Sequence, residues 1–587
     1  MLVSLNKQKF RLVLVLVVCV INCSNFFENR KFNQVTENFL SEYFQNFPIR
    51  ATLVGNHKYD SQLGQFSQRH IENIIGFFKR TTKKISEIDT SKLSSSNKAN
   101  FRILTSQLAI HRFELENWKR WQNDAFFYLQ NVYDAVHGLA IHYSDTTENR
   151  TRSLIVRLDQ VPELLITAKK NLDSSEIINL TPALERIDNL SRIIAFQLSN
   201  QFFVTDTMFD ELNQRSEMVV DSLESFRIFL EKKINSATNQ SSSMTPEMYQ
   251  DYISLVCDKK MKLDEISNLI DVDYQKYYNE LLNISNTILN RQRKNDAYRG
   301  GNYLIETVYD NIQNQSLNRD EIIPFCIEKI QSIKRFIDEI MNLPIPGNFE
   351  IQVAWSDDNY LPFLKLAEFE QPGLLSSINQ YYCYLKPILN EQDWYQQLSQ
   401  LRNYNKSSLQ AIVLLEAIPI HYHYWSKNIK AIPVLAKAFP DQVLINGWNY
   451  YFAFSLLNIG FEGYDPELKY ILLRNYLRNL LLAKVEIQHY QKQSTKREQE
   501  RVILDSRLFK KNELINIFNQ INISPGKALA VFWGLRQLKQ LEQYCRIQAG
   551  PNFSFNEYLH HLLVAGPIPF ELIQQKVVKK LLPQNKN

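Results

Sequence analysis

The sequence predicts a mainly α-helical protein with a small β-sheet set into the helical body, and three observations carry that prediction. Glycine supplies only 15 of 587 residues, against an ordinary share of about 7%. Tight hairpin turns and phosphate-cradling loops depend on glycine's positive φ angles, so sandwiches, barrels and nucleotide-binding α/β folds are disfavoured. Apolar residues recur at helical spacing along most of the chain, and in one region the period changes to two. A hydrophobic share of 44% with 22% charged residues is enough for a large core and excludes wholesale disorder. Charge is nearly balanced, with 67 Lys and Arg against 62 Asp and Glu. No run of five or six basic residues occurs, so no nucleic-acid partner is expected.

The N-terminus reads as an address. Lys7, Lys9 and Arg11 precede an uncharged apolar stretch from Leu12 to Ile21, too short for a helix that spans a bilayer core of about 30 Å. Cys23 follows directly after Val20-Ile21-Asn22. A cysteine in that place resembles the lipobox of bacterial lipoproteins, whose thiol receives diacylglycerol; Asn22 departs from the usual small residue. The boundaries expected are a signal peptide over 1–22, a short tether over 23–34, one helical domain over 35–578 and a tail over 579–587. A plain cleaved signal or an uncleaved anchor is the competing reading. Cys257, Cys326, Cys383 and Cys545 show no C-x-x-C spacing, which points to free buried thiols rather than a disulfide framework or a thiolate zinc site.

Within the body, Leu212, Val219, Leu223, Phe226 and Leu230 fall on one helix face, with Asp221, Glu224, Arg227 and Glu231 elsewhere. The polar stretch 237–247 reads as an internal break. Thr245 then Pro246 reads as an N-cap followed by proline at the first helical position. Ser554-Phe555-Asn556-Glu557 reads as a capping box opening a helix that Gly566 and Pro567 close. The sheet is expected where Phe349, Ile351 and Val353 alternate with Glu350 and Gln352, and again over Gln380–Leu385, with a turn at Glu370-Gln371-Pro372-Gly373 between them.

The densest chemistry lies in 409–424. An apolar helical run delivers Glu416, Pro419, His421 and His423. Helical zinc sites take two ligands from one helix with a Glu as general base. Here no histidine precedes the Glu, and histidines two apart point to different helix faces, so these residues by themselves favour a packed or solvated pair over a metal site. Trp448, Tyr450, Tyr451 and Phe452 form an aromatic run whose simplest reading is helix core, with a ligand-facing wall as the alternative.

Leu415-Glu416-Ala417-Ile418-Pro419-Ile420-His421 resembles the H-E-x-x-P-G-H motif of the bacterial family known as domain of unknown function 885. The resemblance runs from about residue 35 to 578. Ala51-Thr52, Gly55, His57 and Tyr59-Asp60 resemble the family's A-T-x-x-G-x-H-x-Y-D segment. Arg157-Leu158, Pro162 and Asn171-Leu172 resemble its R-L-x-x-I-P…N-L stretch, and Gln371-Pro372-Gly373 its P-P-G segment. Gly447-Trp448 with Tyr451 resembles E-G-W-A-L-Y-A-E, and Pro525-Gly526-Lys527-Ala528-Leu529 resembles P-G-Q-A-L. Phe553, Glu557, Leu562-Leu563, Gly566 and Pro569 follow its closing pattern. The resemblance implies a metallopeptidase-like helical body around a deep cleft, with zinc as cofactor.

The departures from the pattern are chemical. Leu415 stands at the first presumed ligand and Asn446 at another, which leaves His421 as the remnant ligand and Glu416 as the remnant general base. Ile420, Ala453, Val531 and Leu559 replace further motif residues, and Leu481 and Val485 replace two more between Arg478 and His489. A catalytic zinc needs about three protein ligands, and one imidazole does not meet that requirement. Without the metal nothing lowers the pKa of the attacking water from about 15.7 toward 7. The expectation is an exported, lipid-anchored and catalytically degenerate protein of the bacterial cell envelope. It would hold no zinc and bind an unknown peptide or protein beside Pro419, His423, Gly447, Trp448, Tyr451 and His489. The alternative is an active hydrolase with a rearranged ligand set drawn from His421, His423 and His489.

Overall fold

The computed structural model describes residues 2–141, 146–172, 177–198, 202, 205–236, 244–291, 301–341, 343, 350–356, 366–388, 394–430 and 432–582; at 2–23, 141, 197, 235–236, 340, 394, 396, 417–422 and 424 it describes the backbone only. Phe349, His142 and residues 237–243, and the side chains of Cys23, Pro419 and His421, therefore lie outside the described residues.

Helices build the body, as the glycine shortage requires. The first, α1 (Leu2–Asn46), carries the N-terminal segment on into the core. Residues 23–34, expected as a tether, continue this helix because they have partners. Phe32 is fully buried, and the Asn29 amide nitrogen donates to the Lys92 carbonyl at 3.0 Å while its Oδ1 accepts from the Ser94 N–H at 2.9 Å.

The next helices carry the N-terminal motifs. Pro48 opens α2 (Pro48–Val54), which Gly55 closes at φ +90°. Farther on lie α3 (Ala125–Ile141) and α4 (Thr147–Leu172). Arg157 of α4 is fully buried. It donates to the Ala135 carbonyl of α3 at 2.8 Å, to the Gln62 carbonyl at 3.1 Å and to the Thr52 hydroxyl of α2. That hydroxyl donates in turn to Asp60 at 2.7 Å, and Asp60 meets His57 at 2.9 Å. One buried cation thus ties two distant sequence segments together, at the high cost a buried charge would carry without such partners. Gly373 completes the junction. A Cβ there would meet the Val54 carbonyl carbon at 2.0 Å, and the Leu375 N–H donates to the Val54 carbonyl at 2.8 Å.

The predicted amphipathic stretch forms α5 (Asp206–Ser236) and packs on α4. Leu212, Val219, Leu223, Phe226 and Leu230 are all buried, as their spacing requires. Thr245 caps α6 (Pro246–Val256) by accepting from the Met248 N–H, with Pro246 at the start of the helix. The long α7 (Leu263–Arg291) follows.

After two further helices, Gly301–Gln313 and Arg319–Arg335, comes a three-stranded sheet: β1 (Glu350–Trp355), β2 (Ala367–Glu370) and β3 (Gln380–Leu385), ordered β1-β3-β2. β1 pairs in parallel with β3, setting Ile351 opposite Tyr381 and Val353 opposite Cys383, and β2 pairs antiparallel to β3. Tyr381, Cys383 and Leu385 alternate into the core. The middle strand of the sequence, β2, is four residues long, too short for a period-two signal to stand out; the turn expected at Glu370 begins at its last residue.

Among the described residues ten α-helices follow the sheet, and five of them matter for the site: α8 (Lys406–Asn428), α9 (Gln442–Asn458), α10 (Pro466–Tyr490), α11 (Lys527–Ala549) and α12 (Phe555–Ala565). α9 crosses α11 with backbones almost touching. A Cβ on Gly447 would lie 2.2 Å from the Gly534 carbonyl carbon, and one on Gly534 would lie 2.0 Å from the Val443 carbonyl oxygen. Ser554 caps α12 by accepting from the Glu557 N–H, and Gly566 ends it at φ +77°. Cys257, Cys326, Cys383 and Cys545 are free and buried.

Candidate functional site

A pocket of about 570 Å³ opens where α8, α9, α10 and the sheet meet, and Leu415 and Glu416 stand side by side in its wall. α8 reaches it with Ser408, Ile412, Leu415 and Glu416, steps of four, three and one that define one helix face. α10 reaches it with Ile471, Arg474, Asn475, Arg478, Asn479 and Leu482, again one face. α9 contributes Tyr450, one turn after Asn446, and residues from the 509–520 segment close the far side. Helix periodicity therefore delivers the pocket from separate stretches of chain, and Glu416 is one of its walls.

Two guanidinium groups dominate its electrostatics. Arg478 pairs with Glu513, donates to the Leu508 carbonyl at 3.1 Å and lies 4.0 Å over the Phe509 ring. Burial lowers the pKa of Arg478, and the like charge of Arg474 adds to this, while Glu513 opposes it. Burial pushes the Glu513 carboxyl up, but Arg478, a backbone N–H of Lys510 and Arg474 together hold it below its ordinary value. Burial keeps the Tyr450 phenol well above its usual range; Arg478 opposes this and Glu416 adds to it, so the phenol sits between the two charges.

The other sequence-predicted residues separate. Asn446 donates its amide to the Gln442 carbonyl of its own helix at 2.7 Å. Gly447 serves the α9–α11 crossing. Trp448, Tyr451 and Phe452 are buried, with Trp448 stacked on Phe452 at 5.1 Å and the Tyr451 hydroxyl donating to Glu542 at 2.7 Å. Of the aromatic run, only Tyr450 borders the pocket. His423 faces the sheet, where Tyr381 meets its Nδ1 at 3.3 Å. His489 lies two turns beyond Leu482 and packs against Tyr490 and Phe518; burial lowers its pKa, and the neighbouring side chains of Gln499 and Asn522 oppose that. His560 sits against Trp425. Val485 and Leu559 are fully buried and Leu481 nearly so. A smaller cavity of about 180 Å³ between Tyr43, Arg50, His111, Glu114 and Asp134 is bordered by none of the predicted site residues.

The described donors do not fit a zinc ion. Leu415 offers only hydrocarbon, Asn446 has committed its amide nitrogen to its own helix, and among the described residues no three His, Cys, Asp or Glu side chains converge on one point. Sequence reasoning missed Arg474 and the amide wall. The available signal was the spacing of Arg474, Asn475, Arg478 and Asn479, polar residues on one face of an otherwise apolar helix.

A family model described as "Bacterial protein of unknown function (DUF885)" matches residues 48–577. No curated protein matches the chain. Among solved structures, a "putative lipoprotein of unknown function" from Shewanella oneidensis is similar over 93% of this chain and 99% of its own, with a TM-score of 0.74 at 17% identity. A "putative lipoprotein" from Colwellia psychrerythraea is similar over 95% of this chain and 99% of its own, with a TM-score of 0.76 at 13% identity. At these identities the likeness establishes the fold.

Proposed function

Because this chain belongs to the bacterial family of domain of unknown function 885, we propose that it is an exported, lipid-anchored member whose hydrolytic centre has been dismantled and whose pocket binds a peptide or protein segment. The observation that carries the reading is the pair Leu415–Glu416 in one pocket wall. The remnant base faces the pocket, and its neighbour, at the position of a presumed ligand, cannot bind metal. Asn446 supports it, since its amide serves its own helix. Without a metal to acidify water, Glu416 has no activated nucleophile to make.

The anchor rests on Cys23 behind the apolar stretch, and the two lipoprotein-named structural neighbours support it. Among the described residues no helix is long and apolar enough to cross a membrane. A diacylglycerol thioether at Cys23 would supply two acyl chains, and two such signals give stable attachment where one gives only marginal binding.

Elemental analysis of the purified mature chain tests the loss of chemistry. Expected is less than stoichiometric zinc, removed by a chelator, and no peptide hydrolysis that depends on Glu416. Stoichiometric, chelator-resistant zinc, or hydrolysis abolished by Glu416→Gln, would overturn the reading. For the anchor, Cys23→Ser should move the chain from the membrane to the soluble fraction; unchanged fractionation refutes it.

A further inference from the structure

The pocket carries more positive charge than the remnant of a hydrolytic site calls for. Arg474 and Arg478 lie in its wall and Lys386 and Lys510 at its exposed rim, against the carboxylates of Glu416 and Glu513. Glu513 is engaged by Arg478. Arg474 is only 5% exposed, and among the described residues no carboxylate lies within ion-pair distance of it. Its Nη2 donates to the Leu508 carbonyl at 2.6 Å, its plane lies 3.7 Å from the Tyr309 ring centroid, and its Nε is buried without an acceptor. A buried guanidinium with an idle donor and no carboxylate in direct contact is costly, since Glu513 acts on it only from a distance. It is also preorganised, because the ring and the carbonyl fix its plane before any ligand arrives.

We propose that Arg474 and Arg478 form a subsite for the C-terminal carboxylate of a peptide, an inference that rests on the peptide-binding reading and names the end of the peptide that is held. The guanidinium fork matches a carboxylate in geometry and charge. The remaining walls suit the chain that would precede that carboxylate. Asn475, Asn512, Asn516 and Gln520 each present both a donor and an acceptor, the complement of peptide N–H and C=O groups. Ile412 and Leu482 offer apolar surface for a side chain. The volume of about 570 Å³ lies within the range of small-ligand pockets, about 300–1,000 Å³, and so suits a few terminal residues rather than a folded partner.

Equilibrium dialysis of the full mature chain tests the proposal. The probes are two tetrapeptide mixtures of identical sequences, one with free C-terminal carboxylates and one C-terminally amidated, with retained peptides read by mass spectrometry. The free acids should be held at least about tenfold more tightly, the scale of one hydrogen bond to a charged group. In Arg474→Gln the preference should collapse toward one. Equal retention of acids and amides by the unaltered chain overturns the carboxylate subsite and leaves the peptide-binding reading standing. Retention of neither overturns both. The comparison within the unaltered chain decides the matter even where Arg474→Gln fails to fold.

Discussion

Glu486 gives the sharpest physical test of the fold. It lies on α10, is 2% exposed, and its Oε1 accepts from the Tyr249 hydroxyl at 2.6 Å and from the Gly526 N–H. No cation is paired with it. Burial therefore pushes its carboxyl up to about 7 from an ordinary 4.5, with the two hydrogen bonds opposing. A carboxyl whose folded pKa is raised stabilises the fold fully below its unfolded value, and that contribution is lost as the pH rises through the folded value. The window runs from about pH 4.5 to about pH 7. A shift of roughly 2.5 units at 1.36 kcal/mol each is about 3 kcal/mol. Glu486→Gln keeps an acceptor for both donors and cannot ionise. The stability of the variant relative to the unaltered chain should therefore rise by about 3 kcal/mol between pH 4.5 and pH 8. Asp441, pushed up to about 6 by burial, titrates in both proteins and cancels in the difference. Guanidinium denaturation of both chains across that range is the assay. Parallel stability–pH curves would refute the argument that this carboxyl is neutral in the fold.

Other substitutions probe other links. Gly447→Ala places a methyl 2.2 Å from the backbone of Gly534, where no side chain can move aside; a loss of about 1–3 kcal/mol or more is expected, and an unchanged denaturation midpoint would contradict the close crossing. Burial raises the thiol pKa of Cys257 and Cys326 to about 12 and of Cys545 to about 11, and Cys383 well above its ordinary value. These four should resist a disulfide reagent in the folded chain and react once it is denatured; rapid native reaction refutes their burial. Leu415→His with Asn446→Glu restores the residue types of two presumed ligand positions. The double variant should retain zinc through dialysis where the unaltered chain does not, and equal retention would show that those positions are not what removed the metal.

Much of the fold was legible because it rests on local rules. The α5 face from Leu212 to Leu230, the Thr245 and Ser554 caps and strands β1 and β3 all follow from spacing and cap chemistry that neighbouring residues determine. What stayed hidden depends on distant partners. β2 is ordered by β3 and too short to announce itself. The continuation of α1 through residues 23–34 depends on Phe32 and Asn29 finding partners around Lys92 and Ser94. The site divided in the same way. Glu416 and Leu415 could be picked out from a motif, whereas Arg474 offered only its helical spacing with Asn475, Arg478 and Asn479; that its buried guanidinium touches no carboxylate among the described residues shows only in three dimensions.

The placement of the kept and replaced motif residues argues that backbone packing and chemistry were separable in this chain. Thr52, Gly55, Asp60, Arg157 and Gly373 resemble the family pattern, and they sit where a buried cation and a close backbone approach join α2, α4 and the segment after β2. Gly447 does the same for α9 and α11. A side chain at Gly373 or Gly447 would collide with backbone, and removing Arg157 would strand buried carbonyls, so each position carries a large penalty for change. At the replaced positions the reverse holds. Leu481, Val485 and Leu559 are apolar groups in an apolar core, where polar predecessors would have needed partners to be tolerated. Apolar side chains are well accommodated at such buried positions, while the scaffold residues have no such freedom. Arg474 fits neither group. It is a buried charge that touches no carboxylate among the described residues, and the proposed subsite accounts for it, because a bound peptide terminus would supply that contact.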